Sequence, residues 1–199
     1  MTEPAAIRFN NPGAMWGKGN SIAKKWGATG TANLNDGLGQ GNNIAYFPTK
    51  VQGACAQFDL WRTSKNYRNK TLVAAITTWS GGNYVSSYIR FLTDRVPGLT
   101  AKTVITEEFL KSKSGIDLMK AQAWHEAGKP YPMRDAEWAE AQRLVFSPKE
   151  SVTKKAAPPV VAGGAAAGAA HQAGLPVGWI VVIGVAVAVA AFLIWRFKK

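Results

Sequence analysis

The stretch "AWHEAGKPYP", residues 123–132, places one carboxylate where acid–base chemistry is possible. Glycine just past a helix adopts the left-handed conformation that ends it, and proline blocks continuation. Gly128 and Pro130 therefore put Glu126 in the last turn of a helix. At about 100° per residue, Ile116, Met119, Ala123 and Ala127 form the buried stripe of that helix, Glu126 falls on its edge, and His125 projects roughly opposite. Partial burial and the negative end of a helix both disfavour a carboxylate anion. Such a group can stay protonated near neutral pH and hand a proton to a leaving oxygen. The alternative is a boundary glutamate reaching into water, and helix geometry alone leaves both open.

Other chemistries have less support. His125 is the only histidine in the first 150 residues, which argues against Ser-His and Cys-His arrangements and against a His-rich metal site. Cys55 is the only cysteine, so no intrachain disulfide can form, and its place on an apolar helix face reads as core. No metal and no cofactor is expected.

The elements that must hold Glu126 are mostly helical. Residues 7–47 are rich in Gly and Asn and read as loops with a small irregular sheet. "NIAYF", 43–47, alternates like a strand, and Asp36-Gly37 is a hairpin signal. Thr49 and Gln52 form a capping-box pattern opening a helix over 49–63, with Val51, Ala54, Cys55 and Phe58 on one face. Leu72, Ala75, Ile76 and Trp79 define a second helix. Val85, Tyr88, Ile89, Leu92 and Val96 define a third, for which Asn83 is a candidate cap. A short helix starts at Thr106, another spans 115–127, and a last one places Trp138, Ala141, Leu144 and Val145 together. The fold class is α+β, mostly helical.

Composition changes near residue 150, and all twelve acids lie before Ser151. The expected organisation is a domain over 1–150, a flexible Ala/Gly/Pro linker over 151–174, a transmembrane helix over 175–196 and a basic tail over 197–199. Residues 176–195 hold no charge, which is long enough for a helix to cross a bilayer, and Trp179 and Trp195 sit at the ends where interfacial aromatics belong. "MTEPAAIRF" lacks the apolar core of a signal peptide. The basic tail "RFKK" predicts a cytoplasmic tail and an outward-facing domain. A virus particle carrying the protein would remove the need for ordinary export. The net charge of +12 suits anionic polymers or headgroups. No helix-turn-helix, zinc pattern or RNA-binding signature points to nucleic acid.

Four pieces occur in order: "IRFNNPGAMW" (7–16), "IAYFPTKVQGACAQFDLW" (44–61), "WSGGNYVSSYI" (79–89) and "HEAGKPYP" (125–132). This order resembles the lysozyme-like lytic enzymes of bacteriophages, in particular the virion-associated murein hydrolases of membrane-containing phages. The resemblance covers residues 7–132. The same pieces, in rotated order, resemble lytic transglycosylases, whose catalytic helix ends in an "ESG"-type motif. A circular permutation would relate the two orders. Ala127 stands where many relatives have Ser or Asn.

The resemblance implies a lysozyme-like domain that cleaves the β-1,4 glycan of peptidoglycan, with Glu126 as general acid. It implies that Asn10, Asn11, Gly13 and Met15 lie beside the scissile bond. Trp16, Tyr46, Trp79, Tyr84 and Tyr88 are then candidates for stacking on sugar rings, although Tyr88 reads more readily as core. Asn83 joins the candidate substrate contacts. Asp36 is the candidate second acid, against plain Asp-Gly turn chemistry. A single acid suffices where the substrate's own hydroxyl or acetamido group attacks. The implied partners are bacterial peptidoglycan, a viral or host inner membrane through residues 176–195, and other virion proteins. The rival expectation is a non-catalytic structural membrane protein of a virion that keeps the fold.

Overall fold

The computed structural model describes residues 3–33 and 43–147. The hairpin signal at Asp36-Gly37, the linker and the apolar segment 176–195 lie outside the described residues. Among those described, no helix is long and apolar enough to cross a membrane.

Two short helices open the chain, α1 (Ala5–Arg8) and α2 (Ser21–Lys25). Strands β1 (Gly30–Ala32) and β2 (Ile44–Tyr46) pair antiparallel with Thr31 opposite Ala45, and Trp16 adds an isolated bridge to Ile44. The remaining helices are α3 (Lys50–Thr63), α4 (Leu72–Trp79), α5 (Val85–Thr93), α6 (Glu107–Lys111), α7 (Lys113–Ala127) and α8 (Asp135–Phe146). The described part is thus mostly helical beside a small antiparallel sheet, as the sequence predicts. The sequence reading missed α1 and α2. Each is at most five residues long, too short to show a helical period.

Helix α3 runs through the core. Thr49 caps it by accepting the Gln52 N–H at 3.2 Å. Ala54, Cys55, Phe58 and Trp61 are buried along it, and α8 lies against it, with Phe58 edge-on to Phe146 at 6.1 Å. The Cys55 thiol points at the Ala141 carbonyl, and burial pushes its pKa up to about 12, so Cys55 is core. Gly53 is required because any Cβ there would collide with the Asn10 carbonyl oxygen, and this lets the 10–16 loop lie on α3. Asp59, also buried on α3, accepts from Lys25, from Trp26 Nε1 at 2.8 Å and from Arg62 Nη2 at 2.8 Å, which ties α2 to α3. Burial alone would raise the Asp59 pKa. The three donors outweigh it and hold this carboxyl below its ordinary value.

The helix predicted over 115–127 begins two residues earlier, because Ser112 caps it through Gly115 N–H. Its buried face is wider than the predicted stripe. Leu118, Met119, Gln122 and Ala123 are all fully buried, whereas Ile116 is only partly covered. In α8, Trp138, Ala141 and Val145 face the core, while Leu144 is 42% exposed, contrary to its predicted place in the stripe. Helix α5 starts at Val85 and its N-cap is Tyr84, so Asn83 is not the cap. Asn83 Nδ2 instead donates to the Ser80 carbonyl at 3.1 Å.

Candidate functional site

Glu126 occupies the last turn of α7. Gly128 ends that helix in the left-handed conformation, at φ 64°. Trp79, the last residue of α4, and Tyr88, on α5, reach the carboxyl from the neighbouring helices. The Tyr88 phenol donates to Glu126 Oε1, and the nearby Trp79 side chain also favours the anion. Burial is the dominant influence on Glu126 and raises its pKa from 4.5 to about 7, even though both groups pull the other way. Burial, and then the Glu126 charge, push the Tyr88 pKa well above its ordinary value, so Tyr88 remains a neutral donor. Glu126 thus keeps its proton well above the ordinary carboxyl range.

A buried amide layer lies beneath this pair. Gln122, one turn before Glu126, accepts from Trp61 Nε1 at 3.1 Å and from Gln57 Nε2 at 2.7 Å. The indole can only donate, so it fixes which end of the Gln122 amide is oxygen. The Gln122 amide nitrogen is left on the side of Tyr88, whose anion it would favour. The sequence reading did not single out Gln57 or Gln122. A lone glutamine on a predicted core face could have signalled them, because buried polar groups demand partners.

His125 departs from its predicted outward direction. Its ring stacks on Tyr88 with centroids 3.5 Å apart and meets Phe91 edge-on at 5.1 Å. Burial first, and then the Arg95 charge, lower its pKa. A neutral imidazole therefore backs the phenol that holds Glu126. Tyr88, expected as core, is 3% exposed and still bonds the candidate acid.

The 10–16 loop meets the site through Gly13. A Cβ at Gly13 would stand 3.0 Å from Trp79 Cζ2 and 3.3 Å from Gln57 Cγ, so the bare backbone abuts the indole. Asn11 is fully buried. Its amide donates to the carbonyls of Met15 (2.9 Å) and Ala45 (2.8 Å), and its oxygen accepts the Met15 N–H (3.0 Å). Asn10 donates to the Phe47 carbonyl at 3.0 Å, and Met15 is buried in a second apolar cluster with Ala45 and Phe47. Asn10, Asn11 and Met15 thus shape the loop and spend their side chains on the protein itself. Trp16, at the end of the 10–16 loop, and Tyr84, at the start of α5, are 54% and 86% exposed, and Tyr46 is 37% exposed. Four described non-glycine residues have positive φ: Asn10, Ala14, Tyr84 and Asn69. The first three lie in the loops that border the site. Backbone strain of this kind, on the order of 1 kcal/mol or more per residue, gathers at functional sites.

Asp36 lies outside the described residues. Asp59 is closed off by its three donors, and no carboxylate is among the groups that perturb Glu126. Among the described residues, no group of three His, Cys, Asp or Glu side chains could hold a metal ion. No model of a known protein family and no curated protein sequence matches the chain.

Proposed function

We propose that the protein is a membrane-anchored enzyme that cleaves the β-1,4 glycan of peptidoglycan, with Glu126 as general acid. The observation that carries the reading is a carboxyl raised to about 7 at the junction of α4, α5 and α7. It accepts from the Tyr88 phenol, and no cation is among the groups that act on it. A carboxylate retained for stability is held by cations, as Asp59 is. One kept protonated while still hydrogen-bonded is suited to giving its proton away.

In this reading a glycan strand runs along the segments bearing Trp16, Tyr46, Asn83 and Tyr84, where the three aromatic rings offer stacking faces. Glu126 protonates the glycosidic oxygen as the C–O bond breaks, and positive charge develops on the sugar ring. The resulting carboxylate is received by the donor already in place, the Tyr88 O–H. The substrate's own hydroxyl then attacks the anomeric carbon and returns its proton to Glu126, which leaves a 1,6-anhydro end. A single acid completes this cycle. The exposed cations favour an anionic wall, and the apolar segment 176–195 would keep the domain at the membrane beside it, in a virion or in the host inner membrane. Local opening of the wall would serve phage penetration or host lysis.

The test is digestion of purified peptidoglycan by the full chain in detergent micelles, as wild type and as Glu126→Gln, with products read by mass spectrometry. Soluble muropeptides with anhydro ends from the wild type alone support the reading. Reducing ends would mean a hydrolase that uses a positioned water. A folded wild type that releases nothing would favour a structural virion protein.

A further inference from the structure

At 100° per residue, Trp124 and Glu126 point to opposite sides of α7. On the Trp124 side, α7 and α8 border a cleft of about 380 Å³. We propose that this cleft binds the peptide stem of a peptidoglycan strand through the free carboxylates of the stem. This inference rests on the proposed function for the identity of the polymer.

The cleft is built of apolar surfaces and charges in separate places. Tyr131 and Trp138, both buried, back the cleft and meet edge-on with ring centroids 6.1 Å apart. Trp124 and Arg95 are also part of the lining. The Arg95 guanidinium lies 3.5 Å from the Phe91 ring centroid and 4.6 Å from that of Trp124, and its Nη1 donates to the Phe91 carbonyl at 3.2 Å. Arg95 is therefore held in place by two rings, yet no carboxylate among the described residues pairs with it. The other two charges of the cleft are occupied. Lys120 reaches Asp135 at 2.7 Å and Asp117 accepts from Lys113 at 2.6 Å, both as solvent-exposed pairs that a ligand can replace at little cost.

A planar guanidinium fixed on aromatic faces is suited to bidentate pairing with a carboxylate. Asp117 offers a partner for an ammonium. Met133 and Trp124, both partly exposed in the lining, offer apolar contact for short side chains. A ligand that uses all three is a short peptide with free carboxylates and an amine, and the volume lies within the range of small-ligand sites. A neutral sugar would leave Arg95 without a partner. A polyphosphate would meet Asp117. Within peptidoglycan, the stem peptide is the part that carries carboxylates and amines together. Glycan at the Glu126 face and stem at the Trp124 face would let one short helix hold both parts of the polymer.

The test titrates the full chain in detergent micelles with a synthetic stem tetrapeptide, observed by ¹H–¹⁵N NMR. The expected result is movement of the Trp124 indole signal, with binding weakened about tenfold or more by Arg95→Gln, since charge-assisted pairs are the strong ones. The same tetrapeptide with its carboxylates methylated should lose binding to the wild type by a similar factor, a comparison that does not depend on any variant folding. A soluble chito-oligosaccharide should move the Trp16 indole signal and leave Trp124 still. The inference is overturned if the methylated peptide binds as well as the acid, if Arg95→Gln binds as well as wild type, or if Trp124 does not move at millimolar peptide. Binding of the peptide by a wild type that cleaves nothing would sink the proposed function and leave the cleft assignment standing. Cleavage dependent on Glu126 without peptide binding would do the reverse.

Discussion

Replacing Tyr88 with Phe removes one oxygen and leaves the ring that stacks on His125 in place. The loss falls on Glu126, whose anion accepts from that hydroxyl. A hydrogen bond to an ionised group contributes roughly 1.5–3 kcal/mol. Each 1.36 kcal/mol of preference between protonation states moves a pKa by about one. The neutral carboxyl suffers less from losing the donor, so the Glu126 pKa should rise by about one to two, from about 7 into the range of roughly 8 to 9. A general acid must be protonated, so the rate falls as pH rises through its pKa. The alkaline limb of the kcat/KM profile on soluble peptidoglycan should therefore move upward in Tyr88→Phe, even if the maximal rate drops. A ¹³C titration of Glu126 in the same variant should show the same shift. An alkaline limb that stays where it is in wild type, or moves down, would refute the assignment of Glu126 as the titrating acid held by Tyr88.

Glu126→Gln should abolish cleavage yet stabilise the fold above pH 7. The folded pKa is raised, so the native carboxyl holds its proton between 4.5 and about 7 where the unfolded one does not, and wild-type stability falls as pH rises through that window. The penalty removed is about 3 kcal/mol at pH 8 and vanishes near pH 4, which thermal unfolding at the two pH values will read. His125 acts with the opposite sign. Its lowered pKa makes stability fall as pH drops below 6.5, and Arg95→Gln should bring its NMR titration back toward 6.5. Gly13→Ala should push the Trp79 indole away from its 3.0 Å approach, at a cost of about 1–3 kcal/mol in stability and a loss of activity out of proportion to it. Asn11→Ala should destabilise more than Asn10→Ala in denaturant unfolding, because it strips the buried Met15 N–H of its acceptor and the buried Ala45 carbonyl of a donor, while the Met15 carbonyl keeps the Ala45 N–H, at about 1–3 kcal/mol for each unsatisfied group.

The position of Glu126 was legible in the sequence because it depends on local rules. Gly128 and Pro130 set the helix end, and an apolar period set the edge on which the carboxyl falls. The partners of Glu126 were legible only as members of stripes. Trp79 and Tyr88 each lie on the core face of their own helix, and no period within one helix reveals that their polar tips converge on a third. The same limit hid the glutamine layer. Gln57 and Gln122 stand 65 residues apart, and each looks like an isolated polar residue on an apolar face until the fold pairs them at 2.7 Å. It also explains why His125 was expected outward. Helical geometry puts it off the main stripe of α7, but Phe91 and Tyr88 arrive from α5 and cover it. The loop residues show the converse. "NNPGAM" is rich in the residue types that contact ligands, yet Asn11 is consumed by three backbone groups and Gly13 lets the backbone lie close against Trp79. That loop acts on the candidate site by fixing where the indole stands.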